Sequence, residues 1–168
     1  FKAFEVSSPY ITLYPCDRSD YELGEIVLQS CRAKLKNWIT EFVLEMDYHF
    51  LSEDTDDGEK TELRGGVRGD GVDIEFYPSG DVAWTDTDGE VLIPQVALTG
   101  ENLNHIQIIV SGEDYTLLVN DILVRSVSVD SKNEWRDGYF RFDVTEKIPV
   151  AFDNMKVWDL NALKPPNQ

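Results

Sequence analysis

Two carboxylates, Asp73 and Glu75, stand two residues apart in the run Gly71-Val72-Asp73-Ile74-Glu75-Phe76. Residues two apart on a strand share one face, so both acids project together while Val72, Ile74 and Phe76 take the other side. Carboxylates lined up on one strand suit glycosidic-bond hydrolysis. One protonates the leaving oxygen, and a second either attacks the anomeric carbon or activates water. For an inverting reaction, Glu45 or Asp47 could supply that second group across a cleft. The plainer alternative is a half-buried strand with a solvated acidic face.

A second chemistry is sugar stacking. Trp135 lies in the polar stretch 132–138 (KNEWRDG), where no alternating pattern demands its burial, and Trp84 follows a turn. The apolar C–H face of a sugar ring stacks on an exposed aromatic, while flanking polar groups bond its hydroxyls. Trp135 with Asn133, Arg136 and Asp137, together with Trp84, forms the candidate ligand-binding set. The rival reading is that these tryptophans anchor loops. Trp38 and Trp158 fall on strand-like segments and are expected in the core.

Oxygen-rich loops suit a hard cation, and calcium is the one candidate cofactor. Asp54, Asp56, Asp57 and Glu59 form the densest acidic group, with Asp86 and Asp88 a smaller one. Neither matches the twelve-residue EF-hand loop with its terminal bidentate Glu. The alternative is a solvated acidic loop. His49 and His105 stand apart and the cysteines lack paired spacing, which argues against zinc. There is no G-x-S-x-G elbow, P-loop or dinucleotide fingerprint.

These groups need strands to position them, and alternation dominates the chain. Across 38–50 the even positions include Trp38, Phe42, Leu44, Met46, Tyr48 and Phe50, and the odd ones Glu41, Glu45, Asp47 and His49. That period of two is a half-buried strand. Similar runs occur at 1–6, 10–14, 25–35, 63–68, 72–77, 81–84, 91–93, 105–110, 115–119, 122–129, 139–144 and 150–158, separated by turn residues such as Pro78-Ser79-Gly80-Asp81, Asp88-Gly89, Asn120-Asp121 and Asp137-Gly138. Residues 17–23 could be helical but are too short to bind the architecture to helices. The expectation is one all-β domain over 1–163, followed by a tail or linker at 164–168. About a dozen antiparallel strands must stack as two sheets or close into a barrel.

Composition narrows the partners. The 168 residues carry a formal charge of −17, which repels nucleic-acid backbones and anionic lipid at long range. Neutral sugars, cations and basic proteins stay open. No run approaches the ~20 apolar residues of a membrane span, so membrane insertion by this domain is not expected. The chain opens on Phe1, and the expectation is a mature or trimmed piece of a larger extracellular or cell-surface protein. Cys16 and Cys31 could be a disulfide or two thiols. They flank strand-like segments read as an antiparallel pair, and a bridge there would contribute roughly 3 kcal/mol.

The C-terminal half reads Asn104-His-Ile-Gln-Ile-Ile-Val, then Tyr115-Thr-Leu-Leu-Val-Asn-Asp, Asp137-Gly-Tyr-Phe-Arg-Phe and Val150-Ala-Phe-Asp-Asn-Met-Lys-Val-Trp. That order resembles concanavalin A-like sandwich domains of the laminin-G and sugar-hydrolase-associated kinds, in which a strand ending in Asn-Gly is followed by a Gly-led strand and a closing "f-D-N-v-x-v" strand. Residues 42–50 and Leu63-Arg-Gly-Gly-Val-Arg resemble the earlier strands, so the likeness spans about 38–160. Asp121 replaces the usual hairpin Gly. The resemblance implies a two-sheet antiparallel jelly-roll sandwich, with Asp153 and Asn154 bonding backbone in the last strand. Residues 71–76 resemble the catalytic strand of laminarinase and lichenase hydrolases, with Asp73 in the helper place and Glu75 in the acid/base place. Gly71 occupies the nucleophile's place, and a retaining reaction requires a carboxylate there.

The leading expectation is therefore a non-catalytic carbohydrate-binding or recognition module. One alternative is a glycoside hydrolase acting on β-glucan-type polysaccharide through Glu75. The other is an acidic protein-interaction or sensor domain.

Overall fold

The computed structural model describes residues 3–5, 11–13, 21–23, 26–29, 32–35, 41–51, 62–67, 72–128, 140–145 and 150–161, with side chains for 41–51, 72–128 and 150–161. Among these residues there are fifteen strands and no α-helix. They are β1 (Ala3–Glu5), β2 (Ile11–Leu13), β3 (Tyr21–Leu23), β4 (Ile26–Gln29), β5 (Arg32–Leu35), β6 (Phe42–Phe50), β7 (Glu62–Val67), β8 (Val72–Phe76), β9 (Val82–Asp86), β10 (Gly89–Ile93), β11 (Asn104–Ser111), β12 (Asp114–Val119), β13 (Ile122–Ser128), β14 (Phe140–Thr145) and β15 (Val150–Asp159).

All pairings are antiparallel and give a two-sheet jelly-roll sandwich. One sheet runs β1-β15-β6-β11-β12-β13, with β2 also on β15, and the other runs β10-β9-β8-β7-β14-β5-β4-β3. Each strand with a two-residue period buries one side. Leu44, Met46 and Tyr48 of β6, Ile106 and Ile108 of β11, and Leu117 of β12 meet Ile74 and Phe76 of β8 and Trp84 of β9 in the core. The Tyr48 and Phe76 rings, from opposite sheets, lie 5.2 Å apart between centroids. The Tyr48 hydroxyl is buried with no hydrogen-bond partner among the described residues, and burial pushes its pKa up.

Two sequence expectations change. Residues 17–23, the candidate short helix, end in β3, because Tyr21–Leu23 pairs with Ile26–Leu28 in a short hairpin, and 17–20 lie outside the described residues. Residues 25–35, read as one strand, are the separate strands β4 and β5, which pair with each other. The segments beside the two cysteines do not form an antiparallel pair, since β2 joins β15 in one sheet while β4 and β5 belong to the other. Cys16 and Cys31 themselves lie outside the described residues.

Turns follow the residues that permit them. Asn120 and Asp121 both take positive φ, 51° and 64°, which a two-residue hairpin of the I′ kind requires. Asp therefore replaces Gly in the β12–β13 turn without breaking it. In β15 the register shifts between Asp153 and Lys156, Asn154 takes φ 53°, and its N–H donates to Asp153 Oδ1 at 2.7 Å. This bulge matters for the outer face it interrupts.

Candidate functional site

The outer face of β8 carries Asp73 and Glu75 as the alternation requires, both half-buried, with Val72, Ile74 and Phe76 turned into the core. Register places Asp73 between Gly66 of β7 and Thr85 of β9, and Glu75 between Arg64 and Ala83. Tyr77 Oη donates to Glu75 Oε2 at 2.6 Å. Gly71 lies outside the described residues. The proposed inverting partners do not join this group. Glu45 and Asp47 alternate with Leu44 and Met46 of the core, so they point away on the far side of the other sheet. Two sheets and a core about 10 Å thick separate them from Glu75.

Trp84 is not a stacking platform. It is 1% exposed, because β9 turns Val82 and Trp84 inward against the core. Its indole Nε1 donates to Asp86 Oδ2 at 2.8 Å, and the Arg125 guanidinium lies over its ring at 5.7 Å. Arg125 Nη2 also donates to Asp86 Oδ2, at 3.2 Å, while Oδ1 accepts the Asp88 N–H. Asp86, from β9, and Arg125, from β13, thus join the two sheets at the β10/β13 margin. Burial alone would raise the Asp86 pKa. The Asp88 N–H, the Trp84 indole and Arg125 together outweigh it and hold the carboxyl below its ordinary value. Both oxygens of Asp86 thus accept from protein donors.

The remaining sequence candidates, Asn133, Trp135, Arg136 and Asp137 for ligand binding and Asp54, Asp56, Asp57 and Glu59 for calcium, lie outside the described residues. Among the described residues no three His, Cys, Asp or Glu side chains are placed to hold a metal ion.

The outer face of the other sheet arranges a larger set. Trp158, expected in the core, alternates with buried Val157 and so faces outward, half-buried. It lies opposite Val43, which lies opposite Ile109, and that opposite Thr116. Trp158, Val43 and Ile109 make an apolar lane across β15, β6 and β11, ending at Thr116 on β12. The next row on the same face, about 7 Å along the strands, runs Lys156, Glu45, Gln107. There Gln107 Nε2 donates to Glu45 Oε1 at 2.5 Å. In the third row His105 Nδ1 lies 2.7 Å from Asp47 Oδ1, and Asn154 Nδ2 donates to Asp47 Oδ2 at 2.6 Å. A carboxylate only accepts, so the His105 Nδ1 carries the hydrogen. The β15 bulge is what allows Asn154 to reach across to β6.

A half-exposed indole beside rows of oriented carboxylate, amide and imidazole groups can hold a polyhydroxylated ring, its C–H face on the aromatic and its hydroxyls on the polar rows. Sequence reading missed Trp158, Lys156, Gln107, His105 and Asn154 as a group. Their polar positions were visible in the alternation, but cross-strand register, which unites them, was not. The Asp153 side chain bonds backbone as the resemblance implied, accepting from the Asn154 N–H, whereas the Asn154 side chain reaches the Asp47 carboxylate.

No family model matches this chain, and no curated protein matches it. Several solved structures share its fold. The β-fructofuranosidase of Aspergillus kawachii, in complex with glycerol, aligns with a TM-score of 0.61 at 11% identity, over 94% of this chain and 28% of that one. Alginate lyase A1-II' aligns at 0.55 and 12% identity, covering 76% and 70%. Sheep galectin-11, also with glycerol, aligns at 0.50 and 13% identity, covering 71% and 90%. At these identities the likeness shows the sandwich fold.

Proposed function

We propose that this protein is a carbohydrate-binding module of a larger extracellular protein, built on the concanavalin A-like plan, that takes its ligand on the outer face of the β1-β15-β6-β11-β12-β13 sheet. One observation carries the reading: the lane led by Trp158 lies beside the Lys156–Glu45–Gln107 row on a single face. Fold neighbours whose names include a galectin, an alginate lyase and a fructofuranosidase are consistent with it. A net charge of −17 favours a neutral sugar over an acidic one. Trp135, with Asn133, Arg136 and Asp137, is proposed as a second stacking point. The hydrolase alternative loses support, because Glu75 has neither Glu45 nor Asp47 on its side of the molecule.

The test is a glycan array followed by titration calorimetry with the best neutral oligosaccharide, β-glucan fragments included. Trp158→Ala is expected to weaken binding about tenfold, equivalent to ~1.4 kcal/mol, with the variant still folded by circular dichroism. Unchanged affinity in Trp158→Ala, or no glycan bound at all, would overturn the reading.

A further inference from the structure

We infer that β10 is an acceptor edge for an extended partner segment in which apolar and basic residues alternate. The inference does not depend on the sugar-binding reading. Among the described residues, β10 and β13 each end one of the two sheets, whose other ends are β3 and β1, and the Asp86–Arg125 contact places β10 and β13 on the same margin of the sandwich. A terminal strand presents unpaired N–H and C=O groups, which template a further strand. Apolar side chains at this margin are unusually open: Val91, opposite buried Trp84 and so turned inward, is 41% exposed, and Ile122, opposite buried Val119, is 64% exposed, while Leu92, 57% exposed, shares the outer face of its sheet with Glu90.

The two edges differ in protection. β13 carries a register shift opposite Leu117/Leu118, a device that spoils further pairing. β10 pairs with β9 in unbroken register over Gly89–Ile93 and carries no proline or lysine. That makes β10 the receptive edge, and Pro94, just after it, limits the addition to a short segment.

Charge identifies the occupant. Residues 86–128 contain seven acids (Asp86, Asp88, Glu90, Glu101, Glu113, Asp114 and Asp121) against Arg125 as the one Lys or Arg, and Arg125 is engaged by Asp86. Asp88 and Glu90, next to Val91 and Leu92, and Asp121, next to Ile122, are exposed. A second copy would bring the same acidic rim against this one, at −17 per chain, so self-association through β10 is opposed. A strand added to β10 with apolar residues on its inward side, toward Val91 and Ile122, and Lys or Arg on its outward side, beside Glu90, meets both features by β-strand addition.

The probe is a short synthetic peptide alternating Lys and Val, titrated into the intact chain. Peptides alternating Lys with Ser, and Glu with Val, serve as controls. The Lys-Val peptide is expected to bind, perturbing the amides of 89–93, and the Lys-Ser peptide to bind at least about tenfold more weakly. The Glu-Val peptide should not bind. Leu92→Lys, at an exposed position where folding is checked by thermal melting, should weaken Lys-Val binding about tenfold or more. Equal binding of Lys-Ser and Lys-Val would show a charge field alone and overturn the proposal. So would an unaffected Leu92→Lys variant, or a β10-mediated dimer seen in sedimentation.

Discussion

Asp86 concentrates the electrostatics of the sheet margin in one side chain. Its carboxylate takes donors from Trp84, Arg125 and Asp88, and it is nearly closed to solvent. With a folded pKa below the unfolded value of about 3.9, it contributes stability that is present above that value and is lost as the pH falls through the folded pKa. Asp86→Asn should therefore be less stable than the parent at neutral pH, and the gap should close in acid below about pH 4. Urea melts across that range check it. A gap that stays constant into acid would show that the ionised carboxylate is not what stabilises the margin. None of this was legible in the sequence, where Asp86 read as half of an acidic pair and Trp84 as a stacking residue. A strand pattern shows which residues turn inward but not which polar residue waits across the gap.

Individual strands were the most legible feature, because a period of two over 42–50 or 72–76 leaves one face no choice but burial. Cross-strand register was the least legible. Trp158 was assigned to the core on its strand position alone, yet Val157 takes that place and turns the indole outward. Glu45 and Asp47 were paired with Glu75 across a cleft, whereas they belong to the opposite outer surface. The loop joining β10 to β11 shows how local chemistry fixes an element. Asn104, fully buried, accepts from the Leu98 N–H and the Asn120 side chain and donates to the Leu98 carbonyl. Gly80, at φ +85°, accepts from the Ala97 N–H, and a Cβ there would lie 2.4 Å from the Ala97 oxygen. Gly80→Ala should cost about 2 kcal/mol or more, read as a lowered urea midpoint. A variant as stable as the parent would mean this loop yields readily.

At the scale of the whole molecule, a sandwich leaves two broad outer faces and a margin for recognition, and the chain equips them differently. The β8 face carries Asp73, Glu75 and Tyr77. The margin of β10 and β13 exposes apolar side chains within an acidic rim. The face of β15, β6 and β11 combines an outward indole with hydrogen-bonded polar rows, and the sugar-binding account rests there. Such a fold hosts many activities, so the face and not the architecture must carry the claim. The decisive measurement is amide and side-chain shift mapping on isotope-labelled protein titrated with the best-binding neutral oligosaccharide. The account predicts that perturbations cluster at the Trp158 indole, the Gln107 side-chain amide and the backbone of Glu45 and Lys156. Perturbations confined to Asp73, Glu75 and Tyr77, or to the β10 margin, would contradict it.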